Sequence, residues 1–108
     1  MVLIIAKVIF PHTKSSEVAK KNIDLMRKYP LDRSLGKTIV IGIKPTLGGM
    51  RVLAVIEPNK GKIEDYMERL VKIYQEFSYI EGYRYELDTY FEVAEAYKVF
   101  GMELPPEE

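Results

Sequence analysis

A chain of 108 residues has room for one domain with a core of modest size. It holds no cysteine, which excludes disulfides, thiolate metal sites and thiol catalysis. Sixteen Lys/Arg balance sixteen Asp/Glu, and a net charge of zero argues against a dedicated nucleic-acid partner.

The neutrality hides a split. The first 56 residues carry ten basic and three acidic side chains, and the remaining 52 carry six and thirteen. Either the halves intermix in space and cancel, or the polarised surface matches a second copy of the chain. Lys, Glu, Ile, Val and Tyr are plentiful and glutamine occurs once, a bias that suits a thermophilic source.

Val2–Phe10 is β-branched and apolar and stops at Pro11, which predicts a strand. Lys7 interrupts the run and no small-residue cleavage site follows, so it does not read as a signal peptide, and a cytoplasmic location is expected. No apolar run reaches the roughly 20 residues of a membrane-spanning helix, so no membrane partner is expected.

The segment His12–Glu17 offers a Thr or Ser cap with Glu17 in the first turn of a helix. Val18, Ala19, Ile23, Met26 and Tyr29 recur at helical spacing, and Pro30 ends the run. Thr38–Glu57 follows as two apolar runs around PTLGG, the signature of a β-hairpin. Pro58 stops its second strand and Asn59 is placed to cap a second helix. In that helix Ile63, Tyr66, Met67, Leu70, Ile73, Tyr74 and Phe77 form one stripe, the strongest periodic signal in the chain. Ile80–Tyr90 reads as the last strand, with Tyr83, Tyr85, Leu87 and Thr89 on one face and Arg84, Glu86 and Asp88 on the other. A short helix over Glu92–Phe100 closes the domain at Gly101, and residues 102–108 form an extended, acidic, Pro-rich tail.

The order β-α-β-β-α-β predicts an α+β, ferredoxin-like domain over residues 1–101. Its two long helices cover one face of a four-stranded antiparallel sheet in the order 4-1-3-2. The other face is bare, yet the first three strands carry apolar residues on both faces of the pleat. In the second strand Ile39, Ile41 and Ile43 are set against Thr38, Val40, Gly42 and Lys44. Covering about 400 Å² of such surface contributes on the order of 10 kcal/mol before association costs. A homodimer or higher homo-oligomer built through the sheet is therefore expected.

Element order, doubly apolar sheet and single-domain length together resemble the dimeric α/β-barrel superfamily, in which two ferredoxin-like protomers pack sheet against sheet. GYRYELDTYFEVAEAY is similar to the strand-plus-short-helix end of small, uncharacterised prokaryotic members. That group includes small-molecule monooxygenases, haem-handling enzymes, isomerases and members with no known activity. The resemblance brings no catalytic residue with it, because no motif here matches one.

Chemistry-bearing residues are sparse. His12, the single histidine, is the candidate catalytic residue: it sits in a loop that could open onto a pocket between helices and sheet. No second histidine exists to support a metal site, and no cofactor is expected. Among eight tyrosines, Tyr66, Tyr83 and Tyr85 are the candidates for an aromatic pocket wall offering phenolic hydrogen bonds to a small-molecule ligand. Gly48-Gly49 is followed by a strand, which makes it a turn and not a phosphate loop. Glu64 and Glu68 fall on a solvated helix face, and the basic first helix is diluted by Glu17 and Asp24. Two functions follow. One is a sheet-to-sheet homodimer acting as a binding or interaction module. The alternative is a small-molecule enzyme, monooxygenase- or isomerase-like, with its pocket between sheet and helices.

Overall fold

The computed structural model describes residues 2–106. Strands β1 (Val2–Phe10), β2 (Gly36–Thr46), β3 (Gly49–Pro58) and β4 (Arg84–Phe91) form one antiparallel sheet in the order β2-β3-β1-β4. Helices α1 (Ser15–Lys28) and α2 (Ile63–Gln75) make the two crossovers, and α3 (Val93–Val99) follows β4. This is the ferredoxin-like α+β architecture that the element order dictates.

Alternation along β1 decides which face is inside. Ile4, Ala6, Val8 and Phe10 are buried, while Leu3, Ile5, Lys7 and Ile9 point to the open face. Ala54 and Ile56 of β3 share the buried side, and Tyr66 and Leu70 of α2 pack onto them. A second cluster of Leu25, Phe77 and Ile80 joins the two helices at their C-terminal ends. Tyr74 touches both clusters and ties them into one core.

Several details depart from the sequence expectation. Strand β4 begins at Arg84 and not at Ile80. The residues before it form a turn in which Tyr83 N–H donates to the Ile80 carbonyl at 3.1 Å. Burying Ile80 beside Phe77 and Leu25 wins over extending the strand. Asn59 does not cap α2, whose first turn follows Lys62. Its amide instead donates to the carbonyls of Arg33 and Ser34, at 2.8 and 3.0 Å, and clamps the connector ahead of β2. Nor does any Thr or Ser side chain cap α1, and the Ser15 hydroxyl donates back to the His12 carbonyl in the 3₁₀ turn His12–Lys14.

The fourth departure concerns faces. A β-bulge at Ile39 shifts the β2–β3 register between Thr38 and Val40. Thr38 opposes Ile56, Ile41 opposes Ala54 and Ile43 opposes Val52. Directly opposed residues point the same way, so Thr38, Ile41 and Ile43 all share the helix side. Thr38 thereby changes sides relative to the simple alternation, while Val40, Gly42 and Lys44 remain on the open face.

Helix α1 also sits differently from its apparent stripe. Its one buried residue is Leu25, flanked by half-buried Val18 and Tyr29, whereas Ile23 and Met26 are 52% and 65% exposed. The inward line 18–25–29 follows the 3.6-residue period more closely than one through Ile23. The helix thus touches the core at one end and leaves room beneath the other. Nearly all of β2 is exposed and α3 buries no residue. The radius of gyration, 16.0 Å, exceeds the roughly 13 Å usual for this length.

Candidate functional site

The space left under α1 is an open cleft of about 710 Å³. Val8, Val52, Ala54 and Ile56 make its floor, with α1 on one side and the Thr38–Ile43 stretch of β2 on the other. Phe77 and Tyr83 close the end near the α1–α2 junction. The volume lies inside the range of roughly 300–1,000 Å³ typical of small-molecule sites. The lining is mostly apolar, and its polar groups are few: Ser15, Asn22, Thr38, Asp32, Arg69 and the tyrosine hydroxyls.

Two of the three candidate pocket tyrosines line this cleft. Tyr66 and Tyr83 do; Tyr85 does not. Tyr85 stacks on Tyr74 with ring centroids 5.2 Å apart, and its hydroxyl accepts a hydrogen bond from the Gln75 amide at 2.8 Å. Tyr83 lies between Phe77 and Phe10, at 4.6 and 6.1 Å with nearly parallel rings. That stack fixes the Tyr83 ring as a rigid wall. Burial, then the nearby Tyr74 and Tyr85, pushes the Tyr83 phenol far above its ordinary value. Tyr74 is raised the same way, by burial first and then by Tyr66. Both groups stay protonated through the physiological range and act as neutral hydroxyls.

His12 stands apart. It is exposed, lies outside the cleft lining, and its Nε2 is 2.8 Å from the Thr46 carbonyl oxygen. Since a carbonyl can only accept, the Nε2 nitrogen carries the proton. The ring fastens the β1–α1 loop to the end of the hairpin.

A polar network at the α1–α2 junction leaves no trace in the sequence spacing. Glu76 receives Lys28 at 2.6 Å, the Tyr29 hydroxyl at 3.0 Å and Lys21 at 3.5 Å. The hydrogen bond from Lys28 is the main reason the Glu76 carboxyl is held below its usual value, with Tyr29 adding to it against some desolvation. Its counterpart Lys28 is raised, chiefly by the same bond. Arg69 donates to the Pro30 carbonyl, and its guanidinium lies 5.6 Å from the centre of the Tyr29 ring. Asp32 is lowered by hydrogen bonds from the Ser34 hydroxyl and backbone. Together these contacts hold the segment 29–34 across the end of the cleft. Apart from Asp32 and Ser34, the partners are 39 to 55 residues apart in the chain, so no motif could have announced them.

Among the described residues no group of three or more His, Asp or Glu is placed to hold a metal ion. No helix is long and apolar enough to cross a membrane.

Fold and cleft together define a protein of ferredoxin-like α+β architecture with an open, mostly apolar cleft on the helix side of its sheet. Neither the family models nor the curated proteins give a match to this sequence. Among solved structures, the chain is similar to a protein of Deinococcus radiodurans described provisionally as an antibiotic biosynthesis monooxygenase, with a TM-score of 0.57 and 7% identity. The similarity covers 85% of this chain and 92% of that one. At that identity the likeness is one of fold.

Proposed function

We propose that the chain works as a sheet-to-sheet homodimer whose helix-side cleft binds a small, flat, largely apolar molecule. The observation that carries this reading is the 710 Å³ cleft, mostly apolar in its floor and walls and edged by tyrosine hydroxyls, Ser15, Asn22, Thr38, Asp32 and Arg69. A flat ligand suits walls made by a strand, a stacked aromatic ring and a helix. The open sheet face supports the dimer: Val40, Leu53 and Tyr90 are about half exposed on it.

The binding claim is tested by thermal shift and fluorescence titration with a panel of polycyclic aromatic compounds. Ala19 lines the cleft on an exposed turn of α1, so Ala19→Trp fills the space without removing core. Binding that is lost in Ala19→Trp supports the reading. Binding that persists unchanged in that variant, or no stabilisation by any compound, contradicts it.

A second reading makes the cleft an active site in which an electron-rich bound molecule takes up one atom of dioxygen and itself supplies the two electrons and two protons that reduce the other atom to water. The fold shared with the Deinococcus protein supports it at a coarse level. Oxygen uptake that requires a cleft ligand and disappears in Ala19→Trp would favour the enzyme over the binding module.

A further inference from the structure

Among the described residues two charged side chains line the cleft, Asp32 and Arg69, and both belong to one end of it. Tyr66 and Leu70, the neighbours of Arg69 on α2, pack with Ile4 and Ile56, and Ile56 opposes Thr38 where β2 begins. The opposite end is aromatic. There Tyr83 stacks on Phe77 and on Phe10, which opposes Met50 beside the hairpin turn. Ile4 and Phe10 mark the two ends on β1, and the six steps between them span roughly 20 Å of strand.

The two charges are not equivalent. Asp32 is exposed, and its Oδ1 accepts the Ser34 hydroxyl at 2.5 Å and the Ser34 backbone N–H at 3.0 Å. Those bonds first, then the nearby charges of Arg69 and Lys62, hold its carboxyl below the ordinary value. Its charge is thus engaged within its own turn. Arg69 is half-buried, and it is fixed from two sides by the Pro30 carbonyl and the Tyr29 ring. A guanidinium offers five N–H donors in a planar fork, and Pro30 takes one of them. Arg69 makes no ion pair among the described residues, and Asp65, one turn back on α2, lies outside the lining. A held fork at one end and a rigid aromatic wall at the other suit a molecule with a carboxylate and a ring at its two ends.

We propose that Arg69 determines the specificity of the cleft, and that the ligand is an elongated aryl carboxylate with its carboxylate on Arg69 and its ring against Phe77 and Tyr83. This rests on the cleft-binding reading above and adds the chemical class and the orientation of the ligand.

Fluorescence titration with 4-(1-pyrenyl)butanoate and its uncharged primary amide tests the assignment, with circular dichroism to check folding. The wild-type chain binds the carboxylate about tenfold or more tighter than the amide, as a charge-assisted bond to arginine requires. Arg69→Gln removes that preference and leaves the amide affinity nearly unchanged, while Arg69→Lys keeps part of it. Tyr83→Ala weakens both probes alike. If both probes bind equally, or the preference survives in Arg69→Gln, while Ala19→Trp abolishes binding, the cleft reading stands and the role of Arg69 falls. Should 4-(1-pyrenyl)butylamine bind tightest and lose affinity in Asp32→Asn, the end selects cations and the proposal is wrong. Absence of binding by all three probes, or binding that Ala19→Trp leaves untouched, overturns the cleft reading and this one with it.

Discussion

The Nε2 of His12 lies 2.8 Å from the carbonyl oxygen of Thr46, 34 residues further along the chain. This bond joins the loop after β1 to the end of β2, and Thr46 in turn donates its hydroxyl to the Gly49 carbonyl at 2.6 Å. The one histidine is thus a fastener for the hairpin turn. His12→Ala should cost about 1 kcal/mol, the usual net value of one hydrogen bond. Amide exchange around Thr46–Gly49 should rise while ligand binding in the cleft stays intact. A loss of cleft binding with an unchanged hairpin would return His12 to the site.

Gly36 is held between β3 and α2 with φ of +150°. A Cβ there would strike the Glu57 carbonyl oxygen and come within 2.9 Å of the Tyr66 ring. Gly36→Ala should destabilise the fold by about 3 kcal/mol, combining backbone strain with overpacking. Urea denaturation of the two proteins measures it. The loss should appear as a lower midpoint with an unchanged slope.

Because Glu76 is held below its ordinary value of 4.5 in the folded chain, its contribution is present above that pH and is lost as pH falls through the depressed folded value. Glu76→Gln should therefore lower stability at neutral pH and flatten the acid limb of the stability profile. Lys28 has the opposite sign: its raised value keeps its contribution below pH 10.5 and releases it as pH rises beyond that. Thermal melts of wild type and Glu76→Gln between acid and neutral pH check the sign. Equal acid limbs would contradict it.

The ring of Tyr83 and its hydroxyl should separate cleanly. Tyr83→Phe keeps the stack on Phe77 and should change stability by less than about 0.5 kcal/mol. Tyr83→Ala removes the stack and should cost about 3 kcal/mol. A ligand that hydrogen-bonds the phenol loses affinity in both variants, whereas one that only stacks loses it in Tyr83→Ala alone.

Much of this fold was legible because periodicity reports burial directly. The alternation of Arg84 and Glu86 against Tyr85 and Leu87 in β4 and the 3–4 spacing from Ile63 to Phe77 both appear as written, since each element packs one face against one surface. What stayed hidden depends on partners distant in sequence. The bulge at Ile39 changes the side on which Thr38 lies, and only the register against β3 defines it. Ile80 looked like strand, yet it buries against Leu25, which lies 55 positions earlier. Tyr66 and Tyr83 could be flagged by type, but the cleft they line exists because α1 buries only Leu25. No local pattern sets which end of α1 meets the core. The tail reading extends to Glu107 and Glu108, which lie outside the described residues, and residues 102–106 have no regular secondary structure.

The most direct test is the mass of the wild-type chain in solution at micromolar concentration, measured by sedimentation equilibrium beside Leu53→Asp. Leu53 stands 46% exposed near the middle of the open face, where a carboxylate would be buried by a second copy and costs an isolated chain little. The expected result is twice the 12.5 kDa chain mass for wild type and the single-chain mass for Leu53→Asp. A wild-type mass of 12.5 kDa, or a Leu53→Asp chain that still sediments as a dimer, would contradict the claim that this face belongs to a partner.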